Sequence, residues 1–161
     1  MNKSLRRNYG YYTLENWYSN TNRYLTVEEL LKIDDTFIEY KVYSFWQNNN
    51  YKSIIRVIHD RFGNKTSSFY DQNWNYIKLK YQKDDIHEPI EKPAIFEELI
   101  KNSMILSRDF DHVRVDFMYT NGKLYFGELT FADTSGFVKF DSREIDEYFG
   151  SLWVQNVGIY E

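Results

Sequence analysis

The 161-residue sequence has a formal net charge of −4, 19% aromatic residues and no cysteine. Its acidity argues against general nucleic-acid binding, which needs basic surfaces to neutralise phosphates, and the absence of thiols excludes disulfides and thiolate metal sites, as is usual in the reducing cytoplasm. No apolar run approaches the ~20 residues that span a membrane, and no apolar stretch follows the charged residues 1–7, so we expect neither a transmembrane segment nor a signal peptide.

A single domain is expected at this length, with a polar, Tyr- and Asn-rich lead-in over 1–26 and the folded domain over 27–161. The lead-in has no clear hydrophobic period, so its sequence is compatible with a short helix or with irregular chain. The start of the domain is equally ambiguous. Thr26 and Glu29 fit a capping box, which predicts a helix start, whereas 27–31 also fits the end of a strand that runs into a loop.

The first half of the domain has the apolar–polar alternation of strands. Strands are predicted over 36–46 and 52–59, joined by a turn at 48–50, with shorter strands over 67–70 and 75–79. On the first strand, four residues share one face: Phe37, Glu39, Lys41 and Tyr43. The high aromatic content supports a sheet, because aromatic side chains fit a pleated, half-buried surface.

Two later segments have helical signals. Pro93 suits a first helical turn because its missing N–H costs nothing there, and an apolar stripe of helical period predicts a helix over 94–107. Residues 141–144 form a capping-box pattern and Gly150 supplies a stop, which predicts a short helix over 142–149. The expected fold class is α+β, an antiparallel sheet with both helices packed on it.

Between these helices, two alternating segments, 113–119 and 127–131, predict a hairpin whose register decides what meets across it. A two-residue Asn-Gly loop would pair Asp116 with Gly127 and turn Glu128 to the other face.

A three-residue loop over 121–123, with a bulge at its second or third residue, would instead pair Asp116 with Glu128 and Arg114 with Thr130. This register also collects apolar residues on the opposite face: Val113, Val115, Phe117, Tyr119, Leu129 and Phe131. Because such patterning is typical of a half-buried sheet, we predict this second register.

Paired carboxylates on adjacent strands lie about 4.5–5.5 Å apart at Cβ. Two ionised carboxylates repel unless a cation lies between them or an arginine neutralises them. Mg²⁺ binds one or two protein carboxylates together with substrate phosphates, and Arg114 could serve those phosphates or the charge that develops in a transition state. The alternative is a surface ion-pair ladder of Arg114 with Asp116 and Glu128.

The segments 110–117, 122–131 and 135–137 resemble the TupA-like ATP-grasp proteins of bacterial surface-polysaccharide gene clusters, and the likeness extends over about 8–153. The resemblance implies a cytoplasmic carboxylate–amine ligase that uses Mg-ATP. In that chemistry a carboxylate is phosphorylated to an acylphosphate, which an amine then attacks. The family context implies the assembly of surface polysaccharide or teichuronopeptide.

The resemblance also implies a metal site. Asp116 and Glu128 would bind Mg²⁺, with Thr130 at the position where other ATP-grasp enzymes often have Asn. Lys41 and Arg61 would point at phosphates or at the acyl substrate. Each of the two cations has an alternative: Lys41 as the exposed face of a strand, and Arg61 as a loop ion pair.

For the nucleotide base, the resemblance implies a hinge. Glu28, Glu29 and Leu31 would flank the adenine, with backbone groups reading the base, and Asp35 could reach the ribose hydroxyls. Alternatively, the two glutamates are a solvated first helical turn.

The sequence departs from the family in one respect. Before residue 122 it has only two glycines, Gly10 and Gly63, so no segment resembles the flexible loop that holds phosphates in ATP-grasp enzymes. We therefore expect the C-terminal portion of the family, with a partner chain supplying the N-terminal subdomain. The alternatives are a non-catalytic remnant that binds a partner in the same pathway, and a small metal- or sugar-binding protein that uses only the Asp116 and Glu128 face.

Overall fold

The computed structural model describes residues 10–11, 15–22 and 24–154. Within these ranges seven strands form one sheet: β1 (Ile38–Gln47), β2 (Asn50–His59), β3 (Thr66–Asp71), β4 (Tyr76–Ile77), β5 (Asp85–Ile86), β6 (His112–Thr120) and β7 (Lys123–Thr130). The α-helices within residues 24–154 are α1 (Phe96–Ser107) and α2 (Arg143–Leu152). The predicted α+β class is confirmed, and within the described residues no helix is long and apolar enough to cross a membrane.

The segment before β1 differs from both interpretations of its sequence. Residues 24–34 have no regular secondary structure, so the helix start suggested by Thr26 and Glu29 is wrong, and so is the strand end. Much of the lead-in over 1–26 lies outside the described residues. The part that is described includes a 3-10 helix, Asn16–Asn20.

The strands are ordered β4-β3-β2-β1-β6-β7, and β5 pairs with β3 in parallel. All other neighbours are antiparallel. β1 and β6 therefore lie side by side in the sheet although about 65 residues separate them in sequence, since Lys41 pairs with Asp116 and Tyr43 with Arg114. This pairing brings together the polar residues of the first and last hairpins.

Each face of the sheet has its own core, because β1 alternates between them. Tyr40 and Val42 are buried on the face that α1 covers with Phe96 and Leu99. Tyr43 and Phe45 are buried on the opposite face, where α2 contributes Phe149 and Leu152. Lys41 and Glu39 continue along this second face to the clefts described below.

The β6–β7 hairpin has a two-residue loop, so the three-residue loop predicted over 121–123 is wrong. Thr120 pairs with Lys123 across Asn121 and Gly122, which both have positive φ, 51° and 72°. Asn-Gly is favoured in this turn because both residues tolerate that conformation.

A bulge is present, but it lies in the middle of the hairpin. The register slips by one residue between Val115 and Phe117. Over this step β6 contributes only Asp116, whereas β7 contributes both Gly127 and Glu128. An extra residue reverses the alternation of side chains between the two faces.

Beyond the bulge, the two strands pair in the register that the sequence predicted. Arg114 pairs with Thr130, as expected. Leu124 and Leu129 both pack against the α1-side core although they are an odd number of positions apart. A straight strand would place two such residues on opposite faces.

The second helix runs further than predicted. Its N-cap is Ser142, which accepts a hydrogen bond from the Ile145 N–H, so the helix begins one residue later than the predicted box over 141–144 implied. The helix continues through Gly150 to Leu152, so Gly150 is not its stop. The buried side chain of Leu152 packs into the core of the second face, and this contact favours the extra turn.

Gly150 therefore offers a stabilising substitution. It lies inside α2, and a Cβ atom there would meet no atom within 4 Å. Gly150→Ala is expected to raise the free energy of unfolding by about 0.5–1 kcal/mol, because alanine loses less backbone freedom on folding. Urea unfolding followed by circular dichroism measures the change.

Gly122→Ala is the matched control for this prediction. A Cβ at Gly122 also meets nothing within 4 Å, but its φ is +72°. This variant should be less stable than the parent, because alanine is strained in the left-handed region. Equal effects of the two substitutions would contradict the helical assignment of Gly150.

Candidate functional site

Arg114 lies at the centre of a buried polar cluster on the sheet face that α2 covers. Its side chain is only 7% exposed. The Nε and Nη2 groups donate to the two oxygens of Asp116 at 2.7 and 2.9 Å, and Nη2 also donates to Thr130 Oγ1 at 3.0 Å. Nη1 lies 2.6 Å from Asp133 Oδ1. We call these four residues the Arg114 cluster; its bonds are of the strong, charge-assisted kind.

Glu128 lies at the solvent side of this cluster. Its Oε1 accepts a hydrogen bond from the Thr130 hydroxyl at 3.2 Å and lies 3.6 Å from Arg114 Nη2. Its side chain is 65% exposed, against 11% for Asp116. The four polar residues predicted on one face are thus brought together, and Glu128 is the carboxylate open to a ligand.

Asp133 is a member of the cluster that the sequence did not predict. Its Oδ2 accepts hydrogen bonds from the hydroxyls of Tyr43 at 2.8 Å and Tyr81 at 2.7 Å. Asp133 follows β7 at a turn in which Thr134 and Ser135 have φ of 49° and 56°. A positive φ is rare for a β-branched residue such as Thr134 and is often found at functional sites. No local sequence pattern predicts this turn.

The polar network continues across the sheet through Tyr81. The guanidinium of Arg56 lies 3.6 Å from the centre of the Tyr81 ring, within cation–π range. Arg56 is buried and pairs with Asp84 at 2.5 Å, and its Nε donates to Ser67. A chain of charged and aromatic groups therefore connects β2 with the Arg114 cluster on β6.

The pKa shifts within the cluster keep Arg114 and Asp133 ionised. Burial alone would lower the pKa of Arg114, but the hydrogen bonds and charges of Asp116 and Asp133 raise it above its ordinary value. Burial would raise the pKa of Asp133, yet the nearby Arg114 charge and the tyrosine hydroxyls bring it below its ordinary value. Burial and the Asp133 charge raise the pKa of Tyr43 and Tyr81, so both phenols stay protonated as donors.

Lys41 connects the cluster to a cleft of about 280 Å³. Its Nζ is hydrogen-bonded to Asp116 Oδ2. The ion pair of Arg61 with Glu39 at 2.9 Å lines the same central cleft, and so does Glu128. Lys41 and Arg61, both predicted to face phosphates or substrate, therefore line one cavity.

The donor atoms at this cleft fit a magnesium ion that arrives with a polyphosphate. Asp116 accepts three hydrogen bonds, one at Oδ1 and two at Oδ2, so one of its roughly four acceptor positions remains. Glu128 is exposed. In the described ranges no three His, Cys, Asp or Glu side chains converge on a point, but Mg²⁺ needs only one or two carboxylates when phosphates and waters complete its shell.

A second cleft, of about 490 Å³, lies between the irregular segment and the hairpin. Glu28, Glu29 and Leu31, the residues predicted to flank the adenine, line it on the side of the segment, and Tyr125 and Phe126 line it on the side of the hairpin. The lining thus combines apolar and aromatic side chains with the charged Glu28, Glu29 and Lys32. Pockets for small ligands usually combine apolar walls with a few polar groups. We call this the base cleft, after the nucleotide base that the sequence analysis expects there.

Asp34 attaches the irregular segment beside the base cleft to the hairpin. Asp34 Oδ1 accepts hydrogen bonds from the Thr120 hydroxyl at 2.9 Å and from the backbone N–H groups of Thr36 and Asn121, and the Asn121 side chain donates to the carbonyl of Lys32. The bond from the Thr36 hydroxyl, with those from the Thr120 hydroxyl and the two backbone N–H groups, lowers the pKa of Asp34 although burial opposes the shift. Asp35 is exposed in the adjoining turn.

A third cleft, of about 250 Å³, lies on the far side of Glu128. Arg114, Asp133 and Ser135 line it. The central cleft shares Met118 with the base cleft and Glu128 with this third cleft. The three clefts therefore follow one another along the hairpin.

Comparison with known proteins gives the family of the chain. The sequence model of the TupA-like ATPgrasp family matches residues 1–154. The chain belongs to this family. A search of curated proteins finds no match. The crystal structure of D-alanine–D-alanine ligase from Helicobacter pylori resembles this TupA-like ATP-grasp chain with a TM-score of 0.40 and 14% identity, over 75% of this chain and 34% of that chain. The chain thus spans about one third of that ligase.

The ion pairs of the Arg114 cluster should make the free energy of unfolding depend on pH. Asp133→Asn removes one charge from the pair with buried Arg114 and should lower the free energy of unfolding at neutral pH by about 2 kcal/mol, as is usual for hydrogen bonds to charged groups. The folded-state pKa of Asp133 is lowered from 3.8, so its contribution is present above that pH and is lost as the pH falls through the folded-state value. Urea unfolding between pH 7 and pH 2.5 measures the difference from the parent, which should shrink in acid.

Asp109→Asn is the matched control, because Asp109 is 80% exposed and makes only a 3.7 Å contact with Arg108. It should leave stability nearly unchanged at every pH. A difference for Asp133→Asn that stays constant from pH 7 to pH 2.5 would contradict the charge-based account.

Proposed function

We propose that this chain is an ATP-grasp carboxylate–amine ligase, or the nucleotide-binding part of one, that acts in bacterial cell-surface polysaccharide biosynthesis in the cytoplasm. It would use Mg-ATP to convert a carboxylate into an acylphosphate, which an amine attacks. Membership of the TupA-like ATP-grasp family supports this proposal.

The observation that carries the proposal is the order of the three clefts. An ATP molecule has an apolar base at one end and a polyanion at the other. The base cleft is lined in part by apolar and aromatic side chains. The central cleft has two cations, Lys41 and Arg61, and three carboxylates, of which Glu39 is paired with Arg61. Met118 lines both. We infer that the adenine binds beside Glu28, Glu29 and Leu31, and that the phosphates lie over Lys41.

The charged residues in and around the Arg114 cluster would then have separate tasks. Asp116 and Glu128 would hold the magnesium ion, which supplies charge neutralisation for the transferred phosphate. Lys41 would bind phosphate oxygens directly. Arg114 is occupied by Asp116 and Asp133, so we assign it to positioning these carboxylates rather than to contacting phosphate.

Thr130 also has a positioning task in this proposal. Its hydroxyl accepts from Arg114 and donates to Glu128, so it sets the orientation of the exposed carboxylate. Asp35 would reach the ribose from the turn that follows the irregular segment. Arg61 would bind the phosphates or the acyl substrate.

A phosphate-covering loop would come from a partner chain. Neither glycine before residue 122 suits that task. A Cβ at Gly10 would lie 2.5 Å from the Glu15 carbonyl oxygen, and one at Gly63 would lie 2.4 Å from the Asp60 carboxylate, so both are packed closely. Val27 and Leu30 are 97% and 88% exposed beside the base cleft, which favours a partner there. The same observation supports the second candidate, a non-catalytic chain that binds a partner in the pathway.

Titration of Mg-ATP into the purified chain by calorimetry tests the proposal. Binding with a Kd on the order of micromolar is expected, and Glu128→Gln should weaken it about tenfold or more by removing the exposed metal carboxylate. Asp116→Asn/Glu128→Gln should abolish it.

Glu97→Gln on α1 is the matched control, because Glu97 is 81% exposed on the other side of the sheet. It should bind Mg-ATP like the parent. Equal affinity in the parent and the Glu128→Gln variant would refute the metal assignment, and the absence of binding up to millimolar nucleotide would favour the non-catalytic candidate.

The base cleft is tested by comparing two polyphosphates. Leu31→Ser should weaken Mg-ATP about fivefold, as expected for the loss of an apolar contact worth about 1 kcal/mol. It should leave the affinity for Mg-tripolyphosphate unchanged, because that ligand has no base. Leu25→Ser, at a position 61% exposed and outside the cleft, is the control. An equal loss for both ligands would place the effect on the fold instead.

A further inference from the structure

A fourth cleft, of about 500 Å³, lies on the other side of the turn at Asp133. One of its walls is the segment 80–84 and the other is the segment 137–141, and an antiparallel bridge between Tyr81 and Phe140 joins them. Three lysines line it: Lys80 and Lys83 on the first wall and Lys139 on the second. We call it the lysine cleft.

The positive charge of this cleft is not compensated from within. Asp84 also lines the cleft, but its carboxylate is engaged by Arg56 at 2.5 Å and Lys65 at 3.0 Å. Lys80 makes one contact of 3.5 Å with exposed Asp85, a kind of pair that is worth little.

The other two lysines of the cleft have even less contact with carboxylates. Among the described residues neither Lys83 nor Lys139 has an ion-pair partner, which leaves Asp141 as the remaining carboxylate of the cleft. An excess of positive charge in a concave site of a chain with net charge −4 raises the local concentration of anions.

The cleft also has an apolar wall that the fold does not use. Phe137 is 65% exposed and lines the cleft beside Phe140. Phe140 packs edge-on against Tyr81 and contributes to the core of the second face, whereas Phe137 is left at the mouth. Lysines beside an exposed ring fit a ligand that has an anionic group next to an apolar or flat part.

The lysine cleft is coupled to the Arg114 cluster by direct bonds. The Tyr81 hydroxyl donates to Asp133, and the Gln82 amide lies 3.4 Å from the Thr134 hydroxyl. The third cleft, which Arg114 and Glu128 line, is formed by the other side of the same turn. A ligand that extends across the turn would contact both.

We propose that the lysine cleft binds an anionic group, carboxylate or phosphate, that the ligase substrate carries at a distance from the reacting carboxylate. This assignment rests on the proposed ligase function for calling the ligand a substrate. The substrate class is therefore a polyanion: one carboxylate reacts beside Glu128, and a second anionic group is held by Lys83 and Lys139.

The test is a titration of the ¹⁵N-labelled chain followed by NMR, with tri-L-glutamate as the carboxylate probe and glucose 6-phosphate as the phosphate probe. Tri-L-glutamine and glucose are their neutral controls. Amide shifts are expected at 80–84 and 137–141 with at least one anionic probe and with neither neutral control. The probe that binds more tightly identifies the anion.

Lys83→Gln/Lys139→Gln should weaken the anionic probe about fivefold or more. The matched variant Lys101→Gln/Arg108→Gln removes the same charge from the exposed surface of α1 and the residue after it, and it should bind like the parent. Equal weakening in both double variants, equal binding of charged and neutral probes, or no shifts in the cleft would each overturn the proposal. The titration contains no nucleotide, so its outcome and that of the Mg-ATP titration are independent.

Discussion

The structure depends on the burial of one positive charge. Transferring a guanidinium from water into a protein interior costs several kcal/mol unless charges and hydrogen bonds replace its hydration. Arg114 obtains both from Asp116 on its own strand, Thr130 on β7 and Asp133 beyond it. These partners come from three successive elements, so the buried arginine determines how β6, β7 and the following turn are arranged.

Two irregular features of the backbone make this arrangement possible. The bulge at Gly127 and Glu128 reverses the alternation of β7, so that Thr130 faces Arg114 while the leucines on both sides of the bulge face the α1-side core. Asp133 then meets Tyr43 and Tyr81 at the start of a turn whose next two residues, Thr134 and Ser135, are left-handed. Strain of this kind persists only where surrounding contacts determine it.

Alternation in the sequence predicted the strands and their faces, because a period of two follows directly from the pleat. It also predicted that Arg114, Asp116, Glu128 and Thr130 meet. The position of the bulge was harder to predict, because a bulge in the turn and one in mid-strand give the same pairing at Thr130. The spacing of Leu124 and Leu129 distinguishes them, since only a mid-strand bulge puts both in the core. Asp133 could not be predicted, because its partners Tyr43 and Tyr81 lie far away in sequence and meet it only after the sheet has formed.

The different environments of the two cations at Asp116 suggest how the site can accept a polyanion. Arg114 is 7% exposed and contacts four side chains, so its removal would deprive the carboxylates of Asp116 and Asp133 of their most buried cation. Lys41 is 16% exposed, lines the central cleft, and shares Asp116 Oδ2 with Arg114. An ammonium on a flexible stem changes partners at low cost, and Asp116 keeps its paired bonds to Arg114 when Lys41 leaves. In the proposed function, Arg114 would preserve the geometry of the carboxylates, while Lys41 would be available to a bound phosphate.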